Sequence, residues 1–273
     1  MEHLEGRQSV LAALRACQRR FQVILIRHDA HREKLGDVIE LAEKRGVPIR
    51  YVEGAELDAL AHGATHGGVV AICTAKPRLT PAELVALVDQ TGGAAGTQAT
   101  GLREASGTSG THAAGSREPA LLLLLEGVDD ARNLGFTLRS ADALGVHAVL
   151  IKKHLWDFDP VEVARPASGA YERLPLAQIE DVDVLRQLQR RGVRLLGCIA
   201  GAKRSLYETD LTGPVILAIG GEKRGLSGAV RALCDQFLSI PTRGEASSLS
   251  LSHAASIVMA EALRQRRARR SFE

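Results

Sequence analysis

The chain is poor in aromatic residues and has no long apolar run. Phe, Trp and Tyr make up 3% of its 273 residues, which argues against a platform of stacked rings for single-stranded nucleic acid. No apolar run approaches the roughly 18 residues that a membrane-spanning helix requires. The N-terminal sequence also lacks the apolar core of a signal peptide. We therefore expect a cytoplasmic protein with no membrane partner.

The cysteines show neither a metal-binding nor a disulfide pattern. None forms a C-x-x-C pair, and each lies in or beside an apolar run: Cys17, Cys73, Cys198 and Cys234. This usage predicts buried free thiols in a reducing compartment. His62 and His66 have the spacing of a helical metal site, but the surrounding glycines predict a loop and no third ligand is near in the sequence. We therefore expect no metal, and an exposed or RNA-facing loop at these histidines.

Composition and charge are those of a globular chain with a mild basic excess. Hydrophobic residues make up 45%, charged residues 25%, and the formal net charge is +3, which permits an RNA partner without requiring one. Between 90 and 119 the chain is mostly Gly, Ala, Ser and Thr without apolar periodicity, so it cannot bury enough surface to offset its conformational entropy. We predict domains over 1–76 and 119–273, joined by a flexible linker over 77–118, with an ordered lid as the alternative to a linker.

Helical and strand patterns alternate along both predicted domains. In the first domain the expected helices cover 4–20, 31–45 and 55–61, and the expected strands 21–26, 48–52 and 69–73. In the second, the expected strands cover 121–125, 148–151, 194–199, 215–219 and 237–240, and the expected helices 133–144, 179–191, a segment from 226, and 248–267. Residues 121–125 are all Leu, as in a central strand covered on both faces. We predict a small N-terminal α/β domain and a C-terminal α/β domain with a mostly parallel sheet and helices on both faces.

Two of the expected strands end in loops of small residues with one carboxylate. The strand over 215–219 is followed by Gly220, Gly221 and Glu222, and the strand over 237–240 by a polar loop. Ligands of open α/β sheets lie beyond the carboxyl ends of the strands, where small residues let the backbone approach them. The pattern is compatible with a small-molecule pocket, although on spacing alone it is more typical of two ordinary connections.

Three segments resemble the motifs of a known enzyme family. They are 133–146 (NLGFTLRSADALGV), 220–226 (GGEKRGL), and 240–244 (IPTRG) with 248–252 (SLSLS). In this order they resemble the motifs of the SpoU/TrmH family of the SPOUT superfamily, whose members are S-adenosyl-L-methionine (AdoMet)-dependent RNA ribose 2′-O-methyltransferases. The resemblance implies a C-terminal domain with a deep trefoil knot that binds AdoMet. It also implies a homodimer with both active sites near the interface.

The N-terminal domain carries a looser resemblance to the same family. Glu5-Gly6-Arg7 and 66–71 (HGGVVA) resemble the SpoU substrate-binding domain, although members usually have Gln at the position of Gly67. That domain is thought to grip RNA, so the resemblance implies phosphate contacts by basic residues, with a solvated basic surface as the alternative. The candidates are Arg7, Arg15, Arg19, Arg20, Arg27, His28 and Arg32, together with the terminal run over 264–270, which is otherwise a solubilising tail.

By resemblance, five polar residues belong to the catalytic site. Arg139 is the catalytic arginine, in a network with Asn133 and Glu222, and the third motif adds Ser248 and Ser250. Because a guanidinium does not readily lose its proton, we expect Arg139 to hold an RNA phosphate and to stabilise the developing 2′-oxyanion. The plain alternatives are a surface arginine, N-cap residues and a carboxylate near a helix dipole.

The resemblance also implies the cofactor contacts and the substrate class. Gly220, Ile240 and Leu249 are expected to line the AdoMet pocket, with Leu217, Gly197 and Ile199 as neighbours. The N-terminal domain favours a guanosine of 23S-type rRNA as substrate. The alternatives are a tRNA, a ribosomal target that confers antibiotic resistance, and another AdoMet-dependent methyl transfer. The family usually has Asn where this chain has Ser250, and one hydroxyl cannot reproduce both contacts of an amide. A non-catalytic RNA-binding or ribosome-assembly protein therefore remains a further alternative.

Overall fold

The described chain separates into two compact units. The structure, a computed structural model, describes residues 1–62, 66–91, 118–152, 158–244 and 249–270, without the Arg32 side chain. The first unit comprises Met1–Pro77, Asp130–Asp142 and Trp156–Leu174, and the second comprises Arg78–Asp129, Ala143–Leu155 and Pro175–Glu273. Most of the predicted linker and Ser248 lie outside the described residues.

Strands and helices alternate along most of the chain. In chain order the elements are β1 (Glu2–Glu5), α1 (Arg7–Ala16), β2 (Phe21–Arg27), α2 (Arg32–Lys44), β3 (Ile49–Val52), α3 (Gly54–Leu60), β4 (Val69–Cys73), α4 (Pro81–Gln90), β5 (Leu121–Glu126), α5 (Ala131–Ala143), β6 (Ala148–Lys152), α6 (Pro160–Ala167), α7 (Ala170–Arg173), β7 (Leu176–Ile179), α8 (Asp183–Gln189), β8 (Arg194–Cys198), a 3-10 turn (Leu206–Glu208), β9 (Val215–Gly220), α9 (Gly228–Leu233), β10 (Gln236–Leu238) and α10 (Leu251–Arg270). None of the described helices has the length and apolar character needed to cross a membrane.

The first unit is built on a four-stranded mixed sheet. Its strand order is β1-β4-β2-β3, in which β4 runs antiparallel to β1 and β2, and β3 runs parallel to β2. Helix α1 packs against α2 and α7, and α6 packs against β1. The predicted α/β character of the N-terminal region is confirmed.

Residues 2–5 form a strand that the sequence pattern did not predict. β1 pairs with β4, and Gly6, at φ +86°, turns the chain into α1. The predicted helix over 4–20 is therefore wrong at its first turn, because Leu4 is buried by the sheet. The helix also ends early, where Cys17 adopts the left-handed conformation at φ +56°. Cys17 is exposed, which corrects the prediction of a buried thiol there, whereas Cys73 is buried as predicted.

Arg19 lies in a buried polar cluster of the first unit. Its side chain is 1% exposed, and its Nε and Nη2 donate to the two carboxylate oxygens of Glu172 at 2.8 and 2.9 Å. Its Nη1 donates to Glu2 at 2.6 Å and to the Thr74 carbonyl at 2.9 Å. All three guanidinium nitrogens are thus engaged inside the protein. The expectation that Arg19 contacts RNA phosphate is therefore wrong.

The second unit is built on a six-stranded parallel sheet. The strand order is β10-β8-β9-β5-β6-β7, and every pair is parallel. β5 is buried along its whole length, as its Leu run predicted. Leu122 and Leu124 pack into a core with residues of α4, α8 and α9, while α10 packs against β9. The predicted mostly parallel sheet is confirmed.

Short elements account for the remaining differences in the C-terminal region. The predicted helix over 179–191 is wrong at its start, because residues up to Ile179 form β7 and α8 begins at Asp183. β7 has four residues, which is too short for a clear periodic signal. α6 and α7 were not predicted, and α10 begins at Leu251 rather than at 248.

Candidate functional site

A cavity of about 460 Å³ opens in the second unit at the C-terminal ends of three neighbouring strands. Its walls are the segments that follow β8, β9 and β10, together with the first turn of α10. The volume is that of a small-ligand pocket, and the position is where open α/β sheets bind ligands. β9 and β10, the strands on which the sequence interpretation rested, are separated by β8.

The structure brings most of the predicted cofactor residues together at this cavity. Five of the predicted site residues line it: Ile199, Gly220, Glu222, Ile240 and Leu249. Leu217 does not, because it is 1% exposed within β9. Gly197 does not either, since it lies against Phe237: a Cβ on Gly197 would be 2.8 Å from two ring carbons. Leu217 and Gly197, expected as neighbours of the pocket, are thus not among the described residues that line the cavity.

Close backbone packing requires glycine in the turn after β9. A Cβ on Gly220 would lie 2.1 Å from the carbonyl carbon of Gly225, and one on Gly221 would lie 1.8 Å from the carbonyl oxygen of Gly127. The Gly221 N–H donates to the Glu126 carbonyl at 2.6 Å, and the Gly225 N–H donates to the Gly221 carbonyl at 2.8 Å. These contacts close the turn and leave its backbone as a wall of the cavity.

Glu222 links this turn to the last helix. Its Oε1 accepts a hydrogen bond from the backbone N–H of Leu251, the first residue of α10, at 3.2 Å. A carboxylate at a helix N-terminus is favoured by the helix dipole. The helix whose N-terminus Glu222 contacts is thus α10 and not α9, the next helix in the chain. Glu222 thus lines the cavity and fixes the segment that forms the opposite wall.

A buried ion pair holds the same turn from beneath. Glu126, at the end of β5, accepts from Lys152 Nζ at 2.7 Å through one oxygen and from the Ser227 backbone N–H at 2.7 Å through the other. Lys152 Nζ also lies 3.1 Å from the Ser227 hydroxyl. Burial disfavours the charged form of Glu126, but the hydrogen bonds from Lys152 and Ser227 outweigh it and hold the carboxyl pKa below its ordinary value. The network therefore ties three segments together just behind the cavity wall.

Two serines of the third motif stand apart from the cavity or outside the described residues. Ser250 precedes α10, and its hydroxyl lies within hydrogen-bonding distance of His253 Nδ1 and, at 3.3 Å, of the Ser252 hydroxyl. Ser250 is not among the described residues that line the cavity. Ser248 lies outside the described part of the chain.

Cys198 lines the cavity but is not suited to act as a nucleophile. Burial raises the pKa of its thiol to about 11, so the thiolate is scarce at neutral pH. We therefore do not expect Cys198 to act as a nucleophile in this cavity.

The first-motif candidates lie on α5, in the first unit. Asp130 caps this helix, since its carboxylate accepts from the Asn133 backbone N–H at 2.8 Å. Arg139 is exposed and makes no ion pair or hydrogen bond with the residues that the structure describes. Its guanidinium is thus available to an external anion.

Gly135 allows α5 to lie directly against α6. A Cβ at this position would be 2.3 Å from a Pro166 ring carbon and 2.6 Å from the Val163 carbonyl oxygen. After α6 the chain turns through Ser168 and Gly169, both with positive φ. Gly135, in the first of the segments that resemble family motifs, therefore has a steric role.

Ion pairs and burial affect several other predicted RNA-contact residues of the first unit. Arg7 pairs with Asp37, and Arg27 with Asp29. His66 is buried, with Nε2 2.8 Å from Asp58 Oδ1, so the expectation of an exposed or RNA-facing loop is wrong for this residue. Arg15, Arg20 and His28 are exposed, as a phosphate contact requires. Among the described residues there is no cluster of potential metal ligands.

Sequence reasoning missed three charged residues around the cavity. Glu126 and Lys152 end the buried strands β5 and β6, and a charged residue at such a position was the available signal. Arg231 lines the cavity from α9, and no motif or spacing marked it.

Fold and site define a class of protein. A parallel sheet with a glycine-walled cavity at its carboxyl edge is typical of α/β proteins that bind a small cofactor. The model of the SpoU rRNA Methylase family matches residues 120–260, and that of RNA 2′-O ribose methyltransferase substrate binding matches residues 3–79. The chain belongs to the SpoU rRNA methylase family. The enzyme class implied by the sequence resemblance is thereby confirmed.

Curated relatives and solved structures agree with this family. The chain is 34% identical to a Xylella fastidiosa (strain Temecula1) protein, over 96% of this chain and 95% of the relative, and 32% identical to an Escherichia coli K12 protein, over 97% and 99%. Both are named 23S rRNA (guanosine-2′-O-)-methyltransferase RlmB. The SpoU methyltransferase AviRb from Streptomyces viridochromogenes, solved in complex with AdoMet, matches with a TM-score of 0.71 and 26% identity, covering 97% of this chain and 90% of AviRb.

Proposed function

We propose that this protein transfers the methyl group of AdoMet to the ribose 2′-hydroxyl of a guanosine in 23S-type rRNA. The observation that carries the proposal is the cavity at the ends of β8, β9 and β10, which gathers Gly220, Ile240 and Leu249 as the family pattern requires. The names of the full-length relatives support the choice of 23S rRNA and guanosine.

The residues of the cavity fit AdoMet. Ile199, Ile240 and Leu249 offer apolar contacts for the adenosine, and the backbone of Gly220 and Gly221 can approach a ligand closely because a side chain there has no room. Glu222 supplies a negative charge that suits the sulfonium or the ammonium group. When bound, AdoMet supplies an electrophilic methyl group.

Arg139 acts on the RNA in this proposal. Its exposed guanidinium has five fixed donors that can bind a phosphate bidentately and stabilise negative charge on the 2′-oxygen as the proton leaves. The proton goes to phosphate or water, because the guanidinium stays protonated. Asn133 and Glu222 complete the polar network, and Ser248 and Ser250 position the substrate.

The remaining parts of the proposal concern assembly and location. A homodimer is supported by Phe136, which is 49% exposed on α5, in the same stretch of helix as Arg139. A deep trefoil knot is compatible with the return of the chain after β10, which places Leu249, Leu251 and Ala254 on the cavity formed by the loops after β8 and β9. We also propose a cytoplasmic protein that needs no metal, with an N-terminal substrate-binding domain over 1–76, a linker over 77–118 and a methyltransferase domain over 119–273.

The test is a transfer assay with Arg139→Ala. Purified protein is incubated with tritiated AdoMet and unmodified rRNA or tRNA, and label is mapped as alkali-resistant 2′-O-methylation. We expect label at one guanosine of 23S rRNA. R139A should lower the transfer rate by about 100-fold or more, since an oxyanion-stabilising group is worth that much, while the dissociation constant for AdoMet stays within about twofold of wild type.

The outcomes separate the candidates. R139K keeps the charge but not the bidentate geometry of the guanidinium. Its transfer rate is expected to lie between those of wild type and R139A. Label in tRNA alone would mean that the substrate is a tRNA and not 23S rRNA. Equal loss of transfer and AdoMet binding in R139A would contradict the assigned role.

A non-catalytic RNA-binding protein is the second candidate. The observation that favours it is the Ser250 hydroxyl, which bonds to His253 and Ser252 instead of lining the cavity. Binding of AdoMet without any labelled RNA in the same assay would support this candidate over the enzyme.

A further inference from the structure

The cavity carries a second charge besides Glu222. Among the described residues that line it, Arg231 is the one cation and Glu222 the one anion. We propose that Arg231 binds the α-carboxylate of the methionine half of the cofactor and so selects the intact amino acid moiety. The proposal rests on the proposed function, in which this cavity holds AdoMet.

The charges of the ligand and of the walls determine the direction of binding. AdoMet carries a sulfonium, an ammonium and one carboxylate. Near Glu222 the carboxylate would be repelled and the two cationic groups attracted. Near Arg231 the carboxylate gains a charge-assisted pair whose planar geometry matches the guanidinium. The methionine half is therefore oriented with its carboxylate toward α9 and its positive groups toward the turn after β9.

Arg231 is held in place by an aromatic ring. Its guanidinium carbon lies 5.2 Å from the centroid of Phe237, within cation–π distance. Phe237 in turn lies on Gly197, its parallel partner in β8, and a Cβ on Gly197 would come within 2.8 Å of the ring. Gly197 thus makes room for the ring on which the arginine rests. This gives Gly197 an indirect place in the cofactor site although it does not line the cavity.

The donors of Arg231 are available for a ligand. The guanidinium makes no ion pair or hydrogen bond with the part of the chain that the structure describes, and the residue is exposed. The cation–π contact with Phe237 uses none of the guanidinium's hydrogen bonds. A preorganised guanidinium loses little conformational entropy when the carboxylate binds.

The experiment compares two ligands that differ only in the carboxylate. Binding of S-adenosylhomocysteine and of its decarboxylated analogue is measured by calorimetry for the full chain and for Arg231→Ala. We expect R231A to weaken S-adenosylhomocysteine by about tenfold, as for loss of one charge-assisted hydrogen-bonded pair, and the decarboxylated analogue by less than about twofold. R231K should retain part of the preference, since it keeps the charge without the planar fork.

Two further variants make the outcome decisive. Phe237→Leu removes the ring under the guanidinium and is expected to weaken S-adenosylhomocysteine by about two- to fivefold without affecting the analogue. Arg190→Ala, an exposed arginine that does not line the cavity, should leave both affinities unchanged. Because Ala is the best helix former, R231A is expected to fold like wild type.

The possible failures are distinguishable. If R231A weakens the binding of both ligands equally, or of neither, Arg231 does not bind the carboxylate. The proposal that the cavity binds the cofactor is then unaffected. If the wild-type protein binds neither ligand, the proposed function fails and this inference fails with it.

Discussion

The turn after β9 is predicted not to accommodate an added methyl group at Gly221. A Cβ on Gly221 would lie 1.8 Å from the carbonyl oxygen of Gly127, which is a main-chain atom and not the end of a flexible side chain. Gly221→Ala must therefore move the turn that forms the cavity wall. We expect it to destabilise the protein by about 1–3 kcal/mol, as overpacking does, and to weaken S-adenosylhomocysteine by at least about tenfold, as measured by urea unfolding and calorimetry.

The matched control is Gly228→Ala, at the start of α9. A Cβ there meets nothing within 4 Å, and Ala is favoured in a helix by roughly 0.5–1 kcal/mol. G228A should be as stable as wild type or more so, with unchanged ligand affinity. If G221A binds like G228A, the turn is not the rigid wall that its hydrogen bonds suggest.

Residues differ in how far the sequence alone could predict their role. Gly220 and Glu222 were assigned through the resemblance of their segment to a family motif, because on spacing alone a strand followed by two glycines and a carboxylate is more typical of an ordinary connection. The steric constraint on Gly197 could not be predicted, because it comes from Phe237, 40 positions later, across a strand pair. Arg231 was missed because an arginine on a short helix has no local signal that separates a ligand contact from a solvated side chain.

At the scale of elements, a charge pair joins the ends of two strands to the start of a helix. Glu126 follows β5's leucines, Lys152 ends β6, and Ser227 caps α9 after β9. Because the pair is largely buried and each carboxylate oxygen has its own donor, loss of one partner leaves a buried charge without compensation. The turn after β9, which lines the cavity and leads to Ser227, should therefore respond to the protonation of Glu126.

Glu126→Gln tests this dependence through pH. The folded-state pKa of Glu126 is lowered, so its ionised form contributes stability above the ordinary carboxyl pKa of about 4.3, and that contribution is lost as the pH falls through the lowered folded-state value. We expect E126Q to be less stable than wild type by about 1–3 kcal/mol at neutral pH. The difference should shrink below about pH 4, measured by urea unfolding across a pH series.

Glu180→Gln, at an exposed loop position, is the control for that series. E180Q should change the free energy of unfolding by no more than about 0.5 kcal/mol at every pH. A constant difference between wild type and E126Q down to acidic pH would mean that the carboxylate charge does not stabilise the strand ends.

The strands that the sequence predicted well share a physical feature. β4 was predicted with its observed bounds, and β5 within one residue, because both are continuous apolar runs that end at a polar residue. β1 and β7 have four residues each, and their apolar positions fit a helix or a strand equally well. Only pairing with β4 and β6, far away in sequence, decides their conformation. The alternation of helical and strand patterns predicted a parallel sheet, but it did not predict the order of the strands in that sheet.

At the scale of the whole molecule, α5 presents both the catalytic candidate and an exposed aromatic side chain. Arg132, Phe136 and Arg139 are all exposed and recur at the spacing of one helix face. Phe136 is 49% exposed, although the chain has few aromatic residues to leave in water. A second copy of the chain that covers Phe136 would remove this apolar surface from water and place the arginine of each copy beside the interface.

Phe136→Glu is predicted to prevent this association. A carboxylate in a desolvated interface without a partner is costly, so wild type should elute as a dimer in size-exclusion chromatography with light scattering, and F136E as a folded monomer. Tyr207→Glu is the control, because Tyr207 is 59% exposed on the 3-10 turn of the second unit, and it should remain dimeric. A monomeric wild type would exclude the homodimer, whereas a dimeric F136E would move the interface away from α5. If association is what orders the catalytic arginine, F136E should lose methyl transfer in proportion to its loss of dimer while its affinity for S-adenosylhomocysteine stays within about twofold of wild type.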